Sequence, residues 1–92
     1  PVNEDVYAYP NPVRSEYSGP AAIKGIVQDA IVKITDLSGN LVFQTRSEGG
    51  QAIWDGKILN GQHVKPGIYL VFITDNTGDE TLVTKVMMMR KQ

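Results

Sequence analysis

Residues 66–75 read PGIYLVFITD, and they form the strongest β-strand candidate in the chain. β-Branched and aromatic side chains dominate this stretch, and both kinds are enriched in strands. Tyr69 stands where Greek-key sandwiches place a tyrosine at a corner of the fold, with its hydroxyl bonded to upstream backbone. Val71, two residues further on, then faces the core, at the site that antibody domains fill with a cysteine. The stretch therefore predicts a core strand of a β-sandwich.

Other stretches with period-two patterning flank this strand, and none shows a helical period. Turns rich in Gly, Asn and Asp separate several of them, at residues 36–40, 47–50 and 76–79. The pattern predicts an all-β fold, a seven-stranded immunoglobulin-like Greek-key β-sandwich made by one domain over residues 1–92. The predicted strands cover residues 6–9, 23–27, 30–37, 41–46, 51–54, 67–75 and 81–90. The predicted core contains Ile34, Trp54, Tyr69, Val71 and Val86.

Composition excludes several functional classes. The net charge of -1 gives no basic field for nucleic acid, and the absence of cysteine excludes disulfides, thiolate metal sites and cysteine nucleophiles. No stretch reaches the roughly 20 apolar residues of a membrane span, so we expect no membrane insertion. The chain begins with Pro1 rather than Met, and we therefore expect a segment of a longer protein with its export signal upstream.

Two groups of residues suggest a catalytic or metal site, but neither has the full residue pattern that such a site needs. His63 is the one histidine and has only Asp55 near it in sequence as a partner. The turn with Asp75, Thr77, Asp79 and Glu80 begins like a calcium loop, but its sixth position is Glu80 instead of Gly and its twelfth is not Glu. We predict no catalytic residue, no metal and no cofactor, and hence no enzyme.

The last predicted strand carries three consecutive methionines, at residues 87–89. Successive side chains of a strand point to opposite faces, so at least one methionine faces outward unless something covers it. We place Leu82, Thr84, Val86 and Met88 towards the core and Val83 outside. The predicted partner surface consists of Lys85, Met87, Met89 and Arg90. The alternative is that a neighbouring domain or loop simply covers this face.

Three motifs, taken in order, resemble a known family. Residues 6–13 read VYAYPNPV, residues 32–42 read VKITDLSGNLV, and residues 54–56 read WDG, followed by Asn60-Gly61, Val64 and Pro66-Gly67-Ile68-Tyr69. The set resembles the C-terminal sorting domains of type IX secretion in Bacteroidetes. It is also similar to the last domain of PorZ-type and sensor β-propeller proteins and to the Ig-like domain of the flagellar hook-capping protein. The strand from Lys85 to Arg90 matches the basic-flanked last strand of the sorting domains.

This resemblance implies a non-catalytic module at the C-terminus of an exported protein, at the cell surface, in the periplasm or secreted. Its partners would be the secretion machinery or neighbouring domains of the parent protein, and the isolated domain would be monomeric. The alternative function is a structural Ig-like or fibronectin-like cap of a β-propeller sensor. A glycoside-processing surface protein could carry the same kind of cap, with the loop from Trp54 to Tyr69 touching carbohydrate.

Overall fold

Two antiparallel sheets stack into a β-sandwich in the computed structural model, which describes residues 5–91. One sheet has the strand order β1-β2-β5 and the other the order β4-β3-β6-β7. The chain therefore crosses between the sheets after β2, β4 and β5, as a Greek-key sandwich requires. The strands are β1 (Tyr7–Tyr9), β2 (Ala21–Lys24), β3 (Ile31–Thr35), β4 (Leu41–Arg46), β5 (Gln51–Trp54), β6 (Gly67–Thr74) and β7 (Glu80–Met88). The predicted fold class is confirmed, whereas the expected start at Pro1 lies outside the described residues.

The core lies between the sheets and is built around an aromatic pair. Trp54 and Tyr69 meet edge to face, with ring centroids 5.5 Å apart. The Trp54 indole N–H donates to the Lys57 carbonyl at 3.0 Å, and the Tyr69 hydroxyl donates to the Lys65 carbonyl. Burial raises the pKa of the Tyr69 hydroxyl. Each buried polar tip thus has a partner, and the Tyr69 bond to backbone four residues upstream makes the predicted corner.

All five residues predicted for the core are buried. Val71 and Val86 are fully inaccessible, Ile34 and Trp54 are 1% exposed, and Tyr69 is 8% exposed. They come from both sheets and alternate with outward-facing neighbours on their strands. Burying side chains of this size contributes about 1.5–3 kcal/mol each, so these residues supply a large part of the stability of so small a domain.

Strand β2 begins two residues and ends three residues earlier than the predicted span of residues 23–27. The early end is caused by Gly25, which has φ +84 and therefore leaves the extended conformation. The amides of Gly25 and Ile26 both donate to the Gly50 carbonyl, at 3.1 and 3.0 Å, instead of extending the ladder. Ile26 lies beyond the end of the strand but still packs into the core.

The turn between β3 and β4 is organised by Asp36. Its carboxylate accepts from the backbone amides of Ser38 and Asn40, at 3.0 and 2.9 Å, and from the Asn40 side chain. The hydrogen bond from the Asn40 side-chain amide is the main cause that lowers the pKa of Asp36, and the backbone amides act in the same direction. β3 therefore ends one residue before Asp36, earlier than the predicted end at residue 37.

Strand β7 departs from strict alternation at a β-bulge. Val71 pairs with Thr84 and Phe72 with Leu82, so Val83 is an extra residue on β7. The predicted orientations of Leu82 and Val83 are both wrong. Leu82, predicted to face the core, is 54% exposed, while Val83, predicted to face outward, is half-buried and packs against the core. One inserted residue shifts the side-chain alternation by one position, which exchanges the two faces on the N-terminal side of the bulge.

Candidate functional site: the last strand

Strand β7 lies at the edge of the four-stranded sheet, but the outer edge of its C-terminal half is not free. The Asn11 side-chain amide donates to the Lys85 carbonyl and accepts from the Met87 amide, both at 2.9 Å. Val13 continues this pairing, since its amide donates to the Met87 carbonyl and its carbonyl accepts from the Met89 amide, both at 2.8 Å. We call residues 11–13 the strap. It acts as a short parallel strand against β7, anchored by the fully buried Val13 side chain.

The strap leaves side chains, rather than backbone, available to a partner on this part of β7. Lys85 is exposed, and Met87 and Met89 are 40% and 44% exposed. We call these three residues the exposed strip. Val86 and Met88 alternate with them and are buried in the core, at 0% and 3% exposure. Three of the four predicted surface residues therefore lie on one accessible line, while the role of that line stays a prediction.

Arg90, the fourth predicted surface residue, does not face outward. Its side chain is 7% exposed, and one terminal nitrogen donates to the carbonyls of Tyr17 and Gly19, both at 2.8 Å. The other terminal nitrogen lies 3.4 Å from the Asp55 carbonyl. The physical reason is period two: residue 90 follows Val86 and Met88 on the inner side of the strand line. Arg90 thus anchors the end of the chain.

Comparison with known proteins shows the family of the chain. The family model described as "Secretion system C-terminal sorting domain" matches residues 7–89. The chain belongs to this family.

A solved structure similar to the sorting domain is that of PorZ, an essential bacterial surface component of the type-IX secretion system of the human oral-microbiomic Porphyromonas gingivalis. The two share 35% sequence identity with a TM-score of 0.80, over 92% of this chain and 11% of the PorZ chain. The sorting domain thus corresponds to a small part of that protein. No curated protein sequence matches the chain.

The expected family and export role are confirmed by these comparisons. A C-terminal sorting domain marks its protein for export to the cell surface or for secretion, and its family is not catalytic. No helix within residues 5–91 is long and apolar enough to cross a membrane.

Two sequence motifs of the sorting domain converge on the last strand. The opening motif supplies Asn11 and Val13, which make the strap. The Trp-Asp-Gly motif supplies Gly56, with φ +80, and a Cβ at this position would lie 3.2 Å from both the Arg90 guanidinium and the Met88 methyl. Gly56 is therefore favoured by its backbone conformation, and a Cβ there would also press on the ends of the Arg90 and Met88 side chains. Sequence reasoning used these motifs only to recognise the family and missed their contacts with β7.

The other candidate residues from the sequence, in the acidic turn and at His63, make contacts that belong to the fold. The Asp75 carboxylate accepts from the amides of Thr77 and Asp79 and from the Thr77 hydroxyl, so it closes its own turn. The Thr77 hydroxyl is the main cause that lowers the pKa of Asp75. Glu80 pairs with Lys33 at 2.8 Å. Within residues 5–91 no group of three or more His, Cys, Asp or Glu side chains could hold a metal ion. His63 is exposed and bridges to Lys57 across a short antiparallel contact.

Proposed function

We propose that the exposed strip is the surface by which the secretion machinery recognises this sorting domain. The observation that carries the proposal is the strap. With Asn11 and Val13 bonded to the outer edge of β7, a partner at residues 85–89 meets three side chains on a backbone that is already paired. Recognition by added strand pairing would need the strap to leave the edge of β7.

The chemistry of the exposed strip suits recognition of a protein partner. Met87 and Met89 are flexible and polarisable, so they adapt to the shape of an apolar partner surface. Lys85 adds a cation and makes no ion pair with another described residue. On the neighbouring strand β6, Ile68 pairs with Met87 and Leu70 with Lys85, and both are half-buried on the same face. The apolar area therefore continues beyond β7.

A structural cap is the second candidate function. The outward face of the four-stranded sheet also exposes Leu41 and Leu82, at 45% and 54%, and a neighbouring domain of the parent protein would cover them. The carbohydrate-contacting form of this alternative would be favoured by exposed aromatic rings in the loop from Trp54 to Tyr69, but Trp54 and Tyr69 are themselves buried. A cap needs a folded domain with an apolar face but no particular residues on the exposed strip.

Export of a reporter separates the two functions. The domain is fused to the C-terminus of a secreted reporter in a host with type IX secretion, and Met87 and Met89 are both changed to Ser. The matched control changes Leu37 and Leu59 to Ser, since these side chains are 66% and 65% exposed and belong to loops rather than to β7. Both variants should melt within about 4 °C of the parent domain, as surface substitutions do.

We expect the methionine variant to lose most of its export and the leucine control to keep it. Lys85→Gln should lower export to an intermediate level. Normal export of the methionine variant, or a loss that follows its melting temperature, would favour the cap. A truncated variant should lack only residues 91–92 and keep Arg90, because removing Arg90 would also remove a buried anchor and disturb the fold.

A further inference from the structure

A cavity of about 450 Å³ opens beside the Trp-Asp-Gly turn, on the side of the three-stranded sheet. Its wall includes Lys57, His63 and Arg90, together with the hydroxyl-bearing Ser18. Asp55 is the one acidic side chain in this wall. The cavity therefore collects more positive than negative charge, in a chain whose net charge is -1. It shares no exposed residue with the exposed strip on β7.

The Arg90 guanidinium in this wall lacks an anionic partner. Its hydrogen bonds go to the backbone carbonyls of Tyr17, Gly19 and Asp55. Among residues 5–91 the ion pairs join Lys33 to Glu80 and Arg46 to Asp29, and neither includes Arg90. Its Nε–H group is buried and has no acceptor. A charge removed from water is costly unless a counter-charge lies near it, so the field of Arg90 favours an anion in the adjoining cavity.

We propose that this cavity binds a small oxyanion, namely a carboxylate, phosphate or sulfate group. Arg90 supplies a buried positive charge in the wall of the cavity, and Lys57 supplies an ammonium group in the same wall. Guanidinium and ammonium groups are the side chains that bind such anions most strongly in proteins. Ser18 can donate a hydrogen bond, and Asp55 limits affinity by repulsion.

The test is an NMR titration of the 92-residue chain with sodium phosphate, sulfate and acetate at constant ionic strength, with chloride as the reference. Acetate represents a carboxylate side chain of a protein segment, whereas phosphate and sulfate represent free or esterified inorganic anions. We expect saturable shifts confined to the amides of Ser18, Lys57 and His63 and to the Arg90 Nε–H. Shifts that do not saturate, or that spread over the whole surface, would overturn the proposal.

Charge variants make the test independent of Arg90, whose loss would disturb the fold. Lys57→Gln should weaken binding of the best anion by about 1.5- to 5-fold, the range that an exposed charge pair contributes. Asp55→Asn should strengthen it by a similar factor, because asparagine keeps the acceptor for the Lys57 amide but removes the repulsion. Lys33→Gln is the control on the outer face of the other sheet, and equal changes in Lys57→Gln and Lys33→Gln would refute a local site.

Discussion

Asn11→Ala should release the Asn11 end of the strap from the last strand. The substitution removes two hydrogen bonds of the Asn11 side chain, both at 2.9 Å. The side-chain NH2 group donates to the Lys85 carbonyl, and the side-chain oxygen accepts from the Met87 backbone amide. A hydrogen bond contributes about 0.5–1.5 kcal/mol net, and these two are exposed to water, so we expect a loss of about 1–2 kcal/mol. For a domain of this size that loss lowers the melting temperature by roughly 4–16 °C.

Hydrogen exchange shows whether the loss occurs at the strap. The Met87 amide should lose protection in Asn11→Ala, while the Met89 amide, which donates to the Val13 carbonyl, should keep more of its protection. Asn11→Asp is the matched variant, since it retains an acceptor for the Met87 amide but places an oxygen against the Lys85 carbonyl. It should be destabilised with the Met87 amide still protected. An unchanged melting temperature together with unchanged Met87 exchange in Asn11→Ala would refute this account of the strap.

Three further predictions concern the core, the Trp-Asp-Gly turn and a hairpin. Trp54→Ala should lower the free energy of unfolding, measured by chemical denaturation, by about 3–5 kcal/mol. Ile53→Ala should lower it far less, because the Ile53 side chain is 46% exposed; similar values for the two variants would contradict the core assignment. Gly56→Ala should destabilise more than Gly39→Ala, because both have positive φ but only Gly56 would contact neighbours; equal melting temperatures would disprove the close approach. The hydrogen bonds that lower the pKa of Asp36 stabilise the fold at pH values above 3.8, the ordinary pKa of this group. This stabilisation is lost as the pH falls through the lower pKa that Asp36 has in the folded protein. Asp36→Asn should therefore be less stable than the parent at pH 7, the difference should shrink as the pH falls below 3.8, and a constant difference would argue against the linkage.

The strands were predictable because their patterns are local. β4 and β5 have the predicted bounds, and Gly, Asn and Asp mark the turns around them. The end of β2 was not predictable in the same way, since it depends on Gly25 leaving the strand and donating to the Gly50 carbonyl. The bulge at Val83 was also hidden, because an inserted residue shows only when two strands are aligned.

The site was predicted less completely than the fold. Period two correctly separated Lys85, Met87 and Met89 from their buried neighbours, and applied one residue further it would also have placed Arg90 inside. The strap had no comparable signal. Asn11 meets Met87 from 76 positions away, and no local pattern in either segment announces such a pairing.

Fixing the last strand from several sides has a consequence for sorting. β6 pairs with one edge of β7, the strap pairs with the other, and Arg90 anchors the chain beyond its end. These contacts come from segments far apart in sequence, so the line of Lys85, Met87 and Met89 exists only after the whole sandwich has formed. An unfolded chain contains the same three residues but presents them without a defined spacing, and ordering them at the moment of binding would cost conformational entropy. Recognition of the exposed strip would therefore favour export of chains whose sorting domain has already folded.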